Sequence, residues 1–433
     1  MINSKKIAFC TLGCKVNQYE TEAMEELFIN SGYKVVPFSQ KSDVYVINSC
    51  SVTNVGDRKS RQMIRRAKKE NPEAVVVVTG CYAQTAADEI KTMDEVNLLI
   101  GTQGREEIVN IVNTLDCNSH INLVSDIMHT HKFEELKITK YTNRTRAFIK
   151  VQEGCNQFCS YCIIPYARGP IRSRNKQEVI DEIKTLAKNG FKEIILAGIH
   201  IASYGLDTKD TSLEELLLEV DKIDGIERIR LSSIEPMTLN ADFIKKISVS
   251  KKLCRHFHIS LQSGCDETLK RMNRKYTTEQ FKAIVDGLRS AFDDVAITTD
   301  IMVGFAGETD EEFEKTLKFV KEIQFADAHV FQYSQRPRTP AAKYPNQVVS
   351  EIKEKRSKII MEECVKSRRK FLESLIGKST DILFERKTKD NMLEGKTDNY
   401  ITVKVPYQDG LVGEIKKVRL TKLCDTFISG EII

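Results

Sequence analysis

Short apolar runs alternate with amphipathic stretches along residues 1–117. The runs that predict strands are residues 7–11, 44–48, 75–79 and 97–101. The segments with helical periodicity between and after them are residues 19–30, 58–70, 85–91 and 105–114. This alternation is typical of a parallel sheet covered by helices, so we predict an α/β domain over residues 1–117. Residues 118–143 lack a clear period and are predicted to be a linker.

A second alternation of strands and helices follows the predicted linker. Its apolar runs are residues 147–151, 193–197, 228–232, 256–261, 296–302 and 328–333. The helical segments are residues 178–188, 213–221, 279–290 and 311–323, followed by a basic helix at residues 351–375. Six strand–helix units favour an open, partial barrel over a closed one, which requires eight. We assign this second domain to residues 144–375.

The pattern changes again after Gly377. The segments 381–385, 399–405, 414–420 and 427–432 are short, rich in β-branched side chains and separated by turns. Such segments predict a small antiparallel sheet or barrel, assigned here to residues 376–433. The predicted fold class is therefore α/β, with an N-terminal parallel sheet, a central partial barrel of six strand–helix units and a C-terminal antiparallel β-barrel.

Composition narrows the class of protein. The 433 residues are 41% hydrophobic and 29% charged, as in folded, water-soluble chains. No apolar run approaches the roughly 18 residues that a membrane helix needs, and the start of the chain shows no secretory signal. We therefore expect no membrane partner and a cytoplasmic location.

Basic residues are concentrated in two segments. The formal net charge is only +5, yet residues 336–389 hold 15 Lys and Arg against 7 Asp and Glu. Residues 58–69 form a second basic cluster in which no acidic residue occurs. Such a local excess suits a polyanion such as RNA, although a solvated helix face gives the same pattern.

Three cysteines lie close together in the sequence, as Cys155, Cys159 and Cys162. In a chain without an export signal, cysteines are expected to be metal ligands, reactive thiols or small core residues rather than disulfides. Soft thiolates favour iron–sulfur clusters or zinc. The next histidine is His200, so no ligand follows at zinc-finger spacing, and an iron with an open coordination position is favoured over closed structural zinc. The plain alternative is three chance or buried cysteines.

A second set of cysteines is dispersed along the first domain. Cys14, Cys50 and Cys81 each follow the end of a predicted strand, and Gly13 precedes the first of them. Because the carboxyl ends of parallel strands meet at one edge of a sheet, we expect the three sulfurs to converge there as another three-thiolate site. The alternative is that they are inert small residues at strand ends. Cys10, four residues earlier, is expected to point into the domain from its strand.

These motifs resemble those of a known family. Cys155, Cys159 and Cys162 on an α/β partial barrel resemble the radical S-adenosylmethionine (SAM) enzymes, and the whole chain resembles their methylthiotransferases. The segments that carry the resemblance are TLGCKVNQYET, INSCSVT and TGCYAQ in the first domain and EGCNQFCSYCIIPYARG, LAGIHIASYG, RLSSIEP, HISLQSG and DIMVGFAGET in the second. From Gly377 on, the chain is similar to a TRAM domain, a small β-barrel used for RNA binding.

The resemblance implies two 4Fe-4S clusters. One has an open iron that chelates SAM for radical formation, and the other, auxiliary cluster has an open iron that carries the incoming sulfur. One SAM molecule would supply the methyl group and another the radical. The implied ligands are Cys155, Cys159 and Cys162 for the SAM cluster and Cys14, Cys50 and Cys81 for the auxiliary cluster. No catalytic residue beyond these ligands is predicted.

Further residues of the second domain are predicted to bind SAM. Most lie at or just beyond the ends of barrel strands, where cofactor-binding groups collect. One lies beside Cys162, where the adenine of SAM is expected. They are Gly198, Ser232, Glu235, Gln262, Val303 and, beside the cysteine, Tyr161. Each could instead only shape a loop. Arg168, Arg172 and Arg174 follow the cysteine motif closely and are predicted to hold a cofactor carboxylate or a substrate phosphate.

The segment around Cys14 indicates the substrate. GCKVNQYE resembles the methylthiotransferases that act on N6-threonylcarbamoyladenosine in tRNA, whereas the isopentenyladenosine type usually reads GCQMN and the protein-modifying type GCPKN. Lys15 and Val16 therefore indicate methylthiolation of carbon 2 of this adenine at tRNA position 37. The implied partners are a tRNA anticodon stem-loop and a small-protein electron donor, with the sulfur donor left open. The alternatives are N6-isopentenyladenosine as the substrate, or an RNA-binding protein with structural metal sites.

Three loop residues depart from the family pattern. Ala306 and Gln332 stand where prolines are common, and Arg338 stands where glycine is common. These positions bear on local conformation more than on activity, and Arg338 is a candidate phosphate contact.

Overall fold

The computed structural model describes residues 4–139 and 144–433. Its N-terminal sheet consists of β1 (Lys6–Thr11), β2 (Lys34–Val35), β3 (Val44–Ser49), β4 (Val75–Gly80), β5 (Leu98–Leu99) and β6 (Ile121–Asn122). These strands are parallel and lie in the order β2-β1-β3-β4-β5-β6. The helices that cover them are α1 (Lys15–Asn30), α2 (Asn54–Glu70), α3 (Cys81–Thr85), α4 (Ala87–Ile90) and α5 (Ile108–Asn113).

The segment predicted as a linker takes part in this domain. Ile121 pairs with Leu98, which extends the sheet by one short strand. Leu136 and Ile138 are buried among hydrophobic side chains of the neighbouring elements. Residues 140–143 of the predicted linker lie outside the described residues. Short apolar pieces between polar ones carry no period, which is why the sequence did not show this packing.

Two predicted helices of the first domain differ from the observed ones. The predicted helix 85–91 is interrupted at Ala86, whose φ and ψ are −127° and 33°. The predicted helix 105–114 begins with a 3-10 turn at Arg105–Glu107 before α5. The first difference is a single backbone position and the second is a three-residue turn, and hydrophobic periodicity does not register changes this short.

The central domain is an open barrel of parallel strands. Its strands are β7 (Arg146–Glu153), β8 (Arg172–Ser173), β9 (Glu193–Gly198), β10 (Arg228–Leu231), β11 (His256–His258), β12 (Ala296–Val303) and β13 (Asp327–Gln332). They form the sheets β8-β7-β9-β10 and β11-β12-β13, which the parallel bridges Ile229–Leu253 and Ile234–Ile259 connect. The short β8 pairs antiparallel with β7 and was not predicted. The six parallel strands confirm the predicted partial barrel.

Helices cover the outer face of this sheet. They are α7 (Lys176–Lys188), α8 (Leu213–Asp221), α9 (Ala241–Ile247), α10 (Asp266–Arg271), α11 (Thr278–Ala291), α12 (Asp310–Ile323) and α13 (Ser350–Glu373), whereas the short α6 (Ile164–Arg168) before them contacts α3 of the first domain. Ile149 and Leu196 point outward into the large core that these helices share with the sheet. No helix in the described part of the chain is long and apolar enough to cross a membrane.

The first domain covers part of the opposite, inner face of the barrel sheet. Phe148 of β7 and Ile195 of β9 are cross-strand partners on this face. They pack against Tyr19 and Ala23, which lie one turn apart on α1. The helix that begins directly after Cys14 is therefore held against the inside of the barrel.

A closed five-stranded barrel follows α13. Its strands are β14 (Ser379–Lys387), β15 (Met392–Thr397), β16 (Thr402–Pro406), β17 (Ile415–Leu423) and β18 (Ile428–Ile432), in the order β14-β15-β16-β18-β17. β15 was not predicted, because MLEGKT is polar and contains glycine. The pair β16–β18 is parallel, and the other pairs are antiparallel as predicted.

This C-terminal barrel is attached at the amino ends of the central strands. Arg228 donates to the carbonyls of Asp381 at 2.6 Å and Lys396 at 3.0 Å. Arg255 forms an ion pair with Asp398 at 2.6 Å. The opposite, carboxyl ends of the central strands face away from this attachment, and the cysteine motif of the second domain lies there.

Candidate functional site

Cys14, Cys50 and Cys81 come together at the carboxyl edge of the N-terminal sheet. β1, β3 and β4 end one to three residues before them. The charges of Cys14 and Cys50 both act on Cys81, so the three thiols share one region. Gly13 approaches Cys50 closely: a Cβ built on Gly13 would lie 3.0 Å from the Cys50 Sγ. With a φ of +104°, this position favours glycine for the backbone as well.

Burial makes two thiols of this first trio, those of Cys50 and Cys81, difficult to ionise. It raises the pKa of Cys81 to about 12, against the opposing effect of the nearby Arg168 guanidinium. Burial also raises the pKa of Cys50. A soft metal centre would stabilise the thiolates that burial disfavours, so the donor set fits an iron–sulfur group.

Arg168 of the central domain reaches into the first trio. Its Nε lies 3.2 Å from the Cys81 Sγ, and its Nη2 donates to Asn17 Oδ1 at 2.6 Å. Its Nη1 donates to Glu20 at 2.6 Å and to Glu153 at 2.9 Å. All five side chains are buried. Arg168 thus connects the trio to the strand that leads into the second cysteine motif.

The three arginines predicted to hold a cofactor carboxylate or a substrate phosphate all have partners within the protein. Arg168 contacts Cys81, Asn17, Glu20 and Glu153, as described above. Arg172 donates to the carbonyls of Pro170 at 3.0 Å and Arg168 at 3.0 Å. Arg174 is buried and donates to Glu135 at 3.0 Å and to Glu182 at 2.5 Å. Their carboxylate acceptors include residues distant in the sequence, Glu20 for Arg168 and Glu135 for Arg174, which local spacing does not reveal.

A second arginine from the central domain fixes the segment after Cys50. Arg336 donates to Ser51 at 2.9 Å and forms an ion pair with Asp57 at 2.5 Å. It is buried, so it is not available as the phosphate contact expected of the basic segment 336–389. Arg338 is exposed and has a φ of +73°, which explains why a glycine is suited to its position.

The second trio lies in the loop between β7 and α6. The Cys155 amide donates to the Gly169 carbonyl at 3.0 Å, and the Cys162 amide donates to the Cys159 carbonyl at 2.9 Å. The charges of Cys155 and Cys159 act on Cys162, so these thiols also share one region. Burial raises the pKa of Cys155 to about 11. The loop is therefore fixed by its own backbone with three thiols on it.

Arg274 contacts this second trio in the way that Arg168 contacts the first. Its Nη1 lies 3.4 Å from the Cys159 Sγ, and its Nη2 donates to Glu235 at 2.5 Å. Sequence reasoning missed Arg274, because it lies 115 residues from Cys159 in a segment without a motif. A hydrogen bond to a ligand sulfur is one of the means by which proteins adjust iron–sulfur potentials.

Neither trio surrounds a single metal position. Within residues 4–139 and 144–433, no three cysteine, histidine or carboxylate side chains meet around one ion. Three thiolates without a fourth protein ligand are the kind of donor set that iron–sulfur groups use.

The residues predicted to bind SAM lie at the carboxyl end of the central barrel. Gly198 and Val303 are the last residues of β9 and β12, and Ser232 follows β10 directly. The Ser232 Oγ and the Gln262 Oε1 are buried without a hydrogen-bond partner in the described part of the chain. Buried polar atoms normally have partners, so these two atoms fit a polar ligand at this end of the barrel.

The other two residues predicted to bind SAM, Glu235 and Tyr161, already contact other side chains of the protein. Glu235 is half-buried and paired with Arg274. Tyr161 is half-buried and packs edge-on against Phe305, with ring centroids 6.3 Å apart. The structure thus places Tyr161 and Glu235 beside the second trio, through the neighbouring Cys162 and through Arg274.

Three family models match the chain in the order of its domains. The Uncharacterized protein family UPF0004 matches residues 6–101, the Radical SAM superfamily matches residues 149–320, and the TRAM domain matches residues 373–433. Among solved structures, the radical S-adenosylmethionine methyltransferase TsrM from Kitasatospora setae matches with a TM-score of 0.56 at 14% identity, covering 78% of this chain and 77% of that chain. The fold and the cysteine motif thus define a radical SAM enzyme, a class that uses a 4Fe-4S cluster and SAM.

Relatives define the family within this class. A Bacillus subtilis protein named threonylcarbamoyladenosine tRNA methylthiotransferase MtaB is 43% identical over 99% of this chain and 96% of its own length. An Acetivibrio thermocellus protein named tRNA-2-methylthio-N(6)-dimethylallyladenosine synthase is 34% identical over 99% of this chain and 92% of its own. The chain therefore belongs to the radical SAM methylthiotransferase family, as the sequence motifs predicted.

Proposed function

We propose that this protein adds a methylthio group to carbon 2 of the adenine in N6-threonylcarbamoyladenosine at tRNA position 37. The observation that carries this proposal is the 43% identity with the Bacillus subtilis relative, whose name specifies threonylcarbamoyladenosine. The relative named for the dimethylallyl substrate is 34% identical over a similar share of the chain. The difference favours the carboxylate-bearing substrate.

The two cysteine trios are proposed as ligands of two clusters. Cys155, Cys159 and Cys162 would hold the cluster that binds SAM, and the orphaned polar atoms at the same end of the barrel support this place for the cofactor. When bound, SAM and this cluster supply one-electron chemistry and the methyl group. The other contacts proposed for SAM are Tyr161, Gly198, Ser232, Glu235, Gln262 and Val303.

Cys14, Cys50 and Cys81 are proposed to hold the auxiliary, sulfur-carrying cluster. The close approach of Gly13 to Cys50 and the contact of Arg168 with Cys81 hold two of these thiols in fixed positions. Arg168 follows Cys162 by six residues and touches Cys81, so the chain between the trios is short. This proximity supports a common reaction space for the two groups.

A basic cleft between the central domain and the C-terminal barrel is the proposed tRNA surface. It has a volume of about 710 Å³, and Phe148 and Phe427 contribute aromatic side chains to it. Its basic residues, which outnumber the acidic Glu385 and Glu394, are Arg144, Arg146, Arg368, Arg386, Lys396 and Lys404. On α2, Arg58, Lys59 and Lys69 are exposed and form no ion pair within the described ranges. Such cations neutralise backbone phosphates without reading sequence.

A small-protein electron donor and a cytoplasmic location belong to the same proposal. The reaction requires electrons from a carrier, and its tRNA substrate is found where translation takes place. The sulfur donor is left open.

Nucleoside mass spectrometry of tRNA from cells without this protein tests the proposal. We expect loss of the methylthio group from N6-threonylcarbamoyladenosine only, with recovery on expression of the intact chain but not of Cys159→Ala. Loss from N6-isopentenyladenosine instead would establish the second substrate. If both nucleosides keep the methylthio group, an anaerobic visible spectrum decides between an iron–sulfur enzyme and an RNA-binding zinc protein, because only the clusters absorb visible light.

A further inference from the structure

Lys15 lies between the auxiliary cysteine site and the inner face of the central barrel. It follows Cys14 directly and is the first residue of α1. Residues 15, 19 and 23 lie on one face of this helix, because positions four apart are stacked. Tyr19 and Ala23 on that face pack against Phe148 and Ile195 inside the barrel. The helix therefore directs the half-buried Lys15 side chain along the same inner face.

The charges around Lys15 belong to inner-face residues of three strands. Arg146, Glu193 and Arg228 form one row across β7, β9 and β10, and Arg230 lies two residues further along β10. The charges of Arg146, Glu193 and Arg230 act on Lys15, and the Tyr400 hydroxyl lies in the same region. Lys15 thus reaches a region in which cations outnumber anions.

The one carboxylate in this row already has partners. Glu193 accepts from the Arg230 Nε at 2.8 Å and lies 3.5 Å from Arg228 and 3.9 Å from Arg146. The Lys15 ammonium makes no ion pair among the residues described. A partly buried cation without a counter-ion is costly, and an incoming anion would remove that cost.

Neighbouring groups do not supply the missing anion. The Tyr400 ring, which comes from the C-terminal barrel, has Arg230 at 4.7 Å, Lys396 at 4.8 Å and Arg146 at 5.2 Å from its centroid. Asp300, on the inner side of β12, is paired with His258 at 3.1 Å. The surroundings of Lys15 therefore suit a small carboxylate more than an apolar group.

We propose that Lys15 binds the carboxylate of the substituent on N6 of the substrate adenine and thereby selects threonylcarbamoyl over isopentenyl groups. This inference rests on the proposed function. The reacting carbon 2 and the N6 substituent flank N1 on one edge of the adenine ring. A residue next to the auxiliary site is therefore well placed to meet that substituent when carbon 2 faces the site. The threonylcarbamoyl group ends in a carboxylate, whereas the isopentenyl group is a hydrocarbon that would leave the ammonium unpaired.

Equilibrium binding of modified anticodon stem-loops to the reconstituted protein tests this assignment. One stem-loop carries threonylcarbamoyladenosine, and a second carries the same nucleoside with a neutral carboxamide in place of the carboxylate. We expect the wild-type protein to bind the carboxylate form about 10- to 100-fold more tightly. Lys15→Gln should lose this preference by weakening only the carboxylate form, and Lys15→Arg should keep most of it. Lys188→Gln, an exposed lysine on the outer helix α7, is the matched control and should bind as the wild type does.

The outcomes separate this inference from the proposed function. If Lys15→Gln keeps the preference for the carboxylate, the role of Lys15 is overturned while the substrate assignment stands. If the wild-type protein binds both stem-loops equally, the role of Lys15 is overturned without any variant. Failure of the wild-type protein to methylthiolate the threonylcarbamoyl stem-loop at all would overturn the proposed function as well. Iron content and thermal unfolding of each variant show whether it is folded and loaded.

Discussion

Replacing Gly13 by alanine tests whether the first cysteine trio is a closely packed metal site. A Cβ on Gly13 would lie 3.0 Å from both the Cβ and the Sγ of Cys50, and 3.2 Å from the Asn17 amide nitrogen. Gly32 provides a matched control in the same domain. Its φ of +86° is close to the +104° of Gly13, but a Cβ there would meet nothing within 4 Å.

The two variants share one cost and differ in another. Both place alanine at a positive φ, which costs roughly 1–2 kcal/mol of stability. Gly13→Ala must in addition shift Cys50 by a few tenths of an ångström, because contacts of 3.0 Å are tighter than nearly all contacts that a Cβ makes. Overpacking of this kind costs about 1–3 kcal/mol. We therefore expect Gly13→Ala to be less stable than Gly32→Ala by about 1–3 kcal/mol.

Anaerobic iron analysis and denaturant unfolding of the reconstituted variants measure these effects. We expect Gly13→Ala to lose the auxiliary cluster and keep roughly half of the iron, since the second trio lies in another domain. Gly32→Ala should keep all of it. Equal iron content and equal unfolding midpoints in the two variants would refute the assignment of this trio as a fitted cluster site.

Three further outcomes are expected. Cys159→Ala should abolish reductive cleavage of SAM, which is measured as the formation of deoxyadenosine. Cys50→Ala should keep that cleavage and stop thiolation, which is measured by nucleoside analysis of the tRNA. Thiolation by Cys50→Ala would contradict the assignment of the auxiliary site. Arg168→Met should destabilise the protein by about 1–3 kcal/mol, because Glu20 and Glu153 each lose one buried partner and keep only Arg105 and Lys150, while exposed Arg58→Met should not change the unfolding midpoint. Lys404→Gln in the basic cleft should lower the slope of log affinity for tRNA against log salt by about one, and an unchanged slope would place the RNA elsewhere.

Strong periodicity predicted the long elements well. The helix predicted at residues 213–221 is observed as Leu213–Asp221, and the one predicted at residues 311–323 as Asp310–Ile323. The strands β3 and β4 are buried along their whole length, so their sequences are continuous apolar runs. The two-residue strand β8 and the seven-residue helix α9 were missed, because neither holds enough positions for its period to be visible.

The sequence by itself determined the three-domain order, the parallel and barrel classes of sheet and the six cysteines that are candidates for cluster binding. It could do so because these features depend on local spacing and on the rule that parallel strands end at one edge. Only the tertiary structure decided which charged groups surround those cysteines. Arg336 meets Asp57 from 279 residues away, Arg168 meets Cys81 from 87, and Lys15 reaches a row of residues on three central strands. Buried charges act over a few ångströms in space, and sequence separation sets no limit on which residues folding brings within that distance.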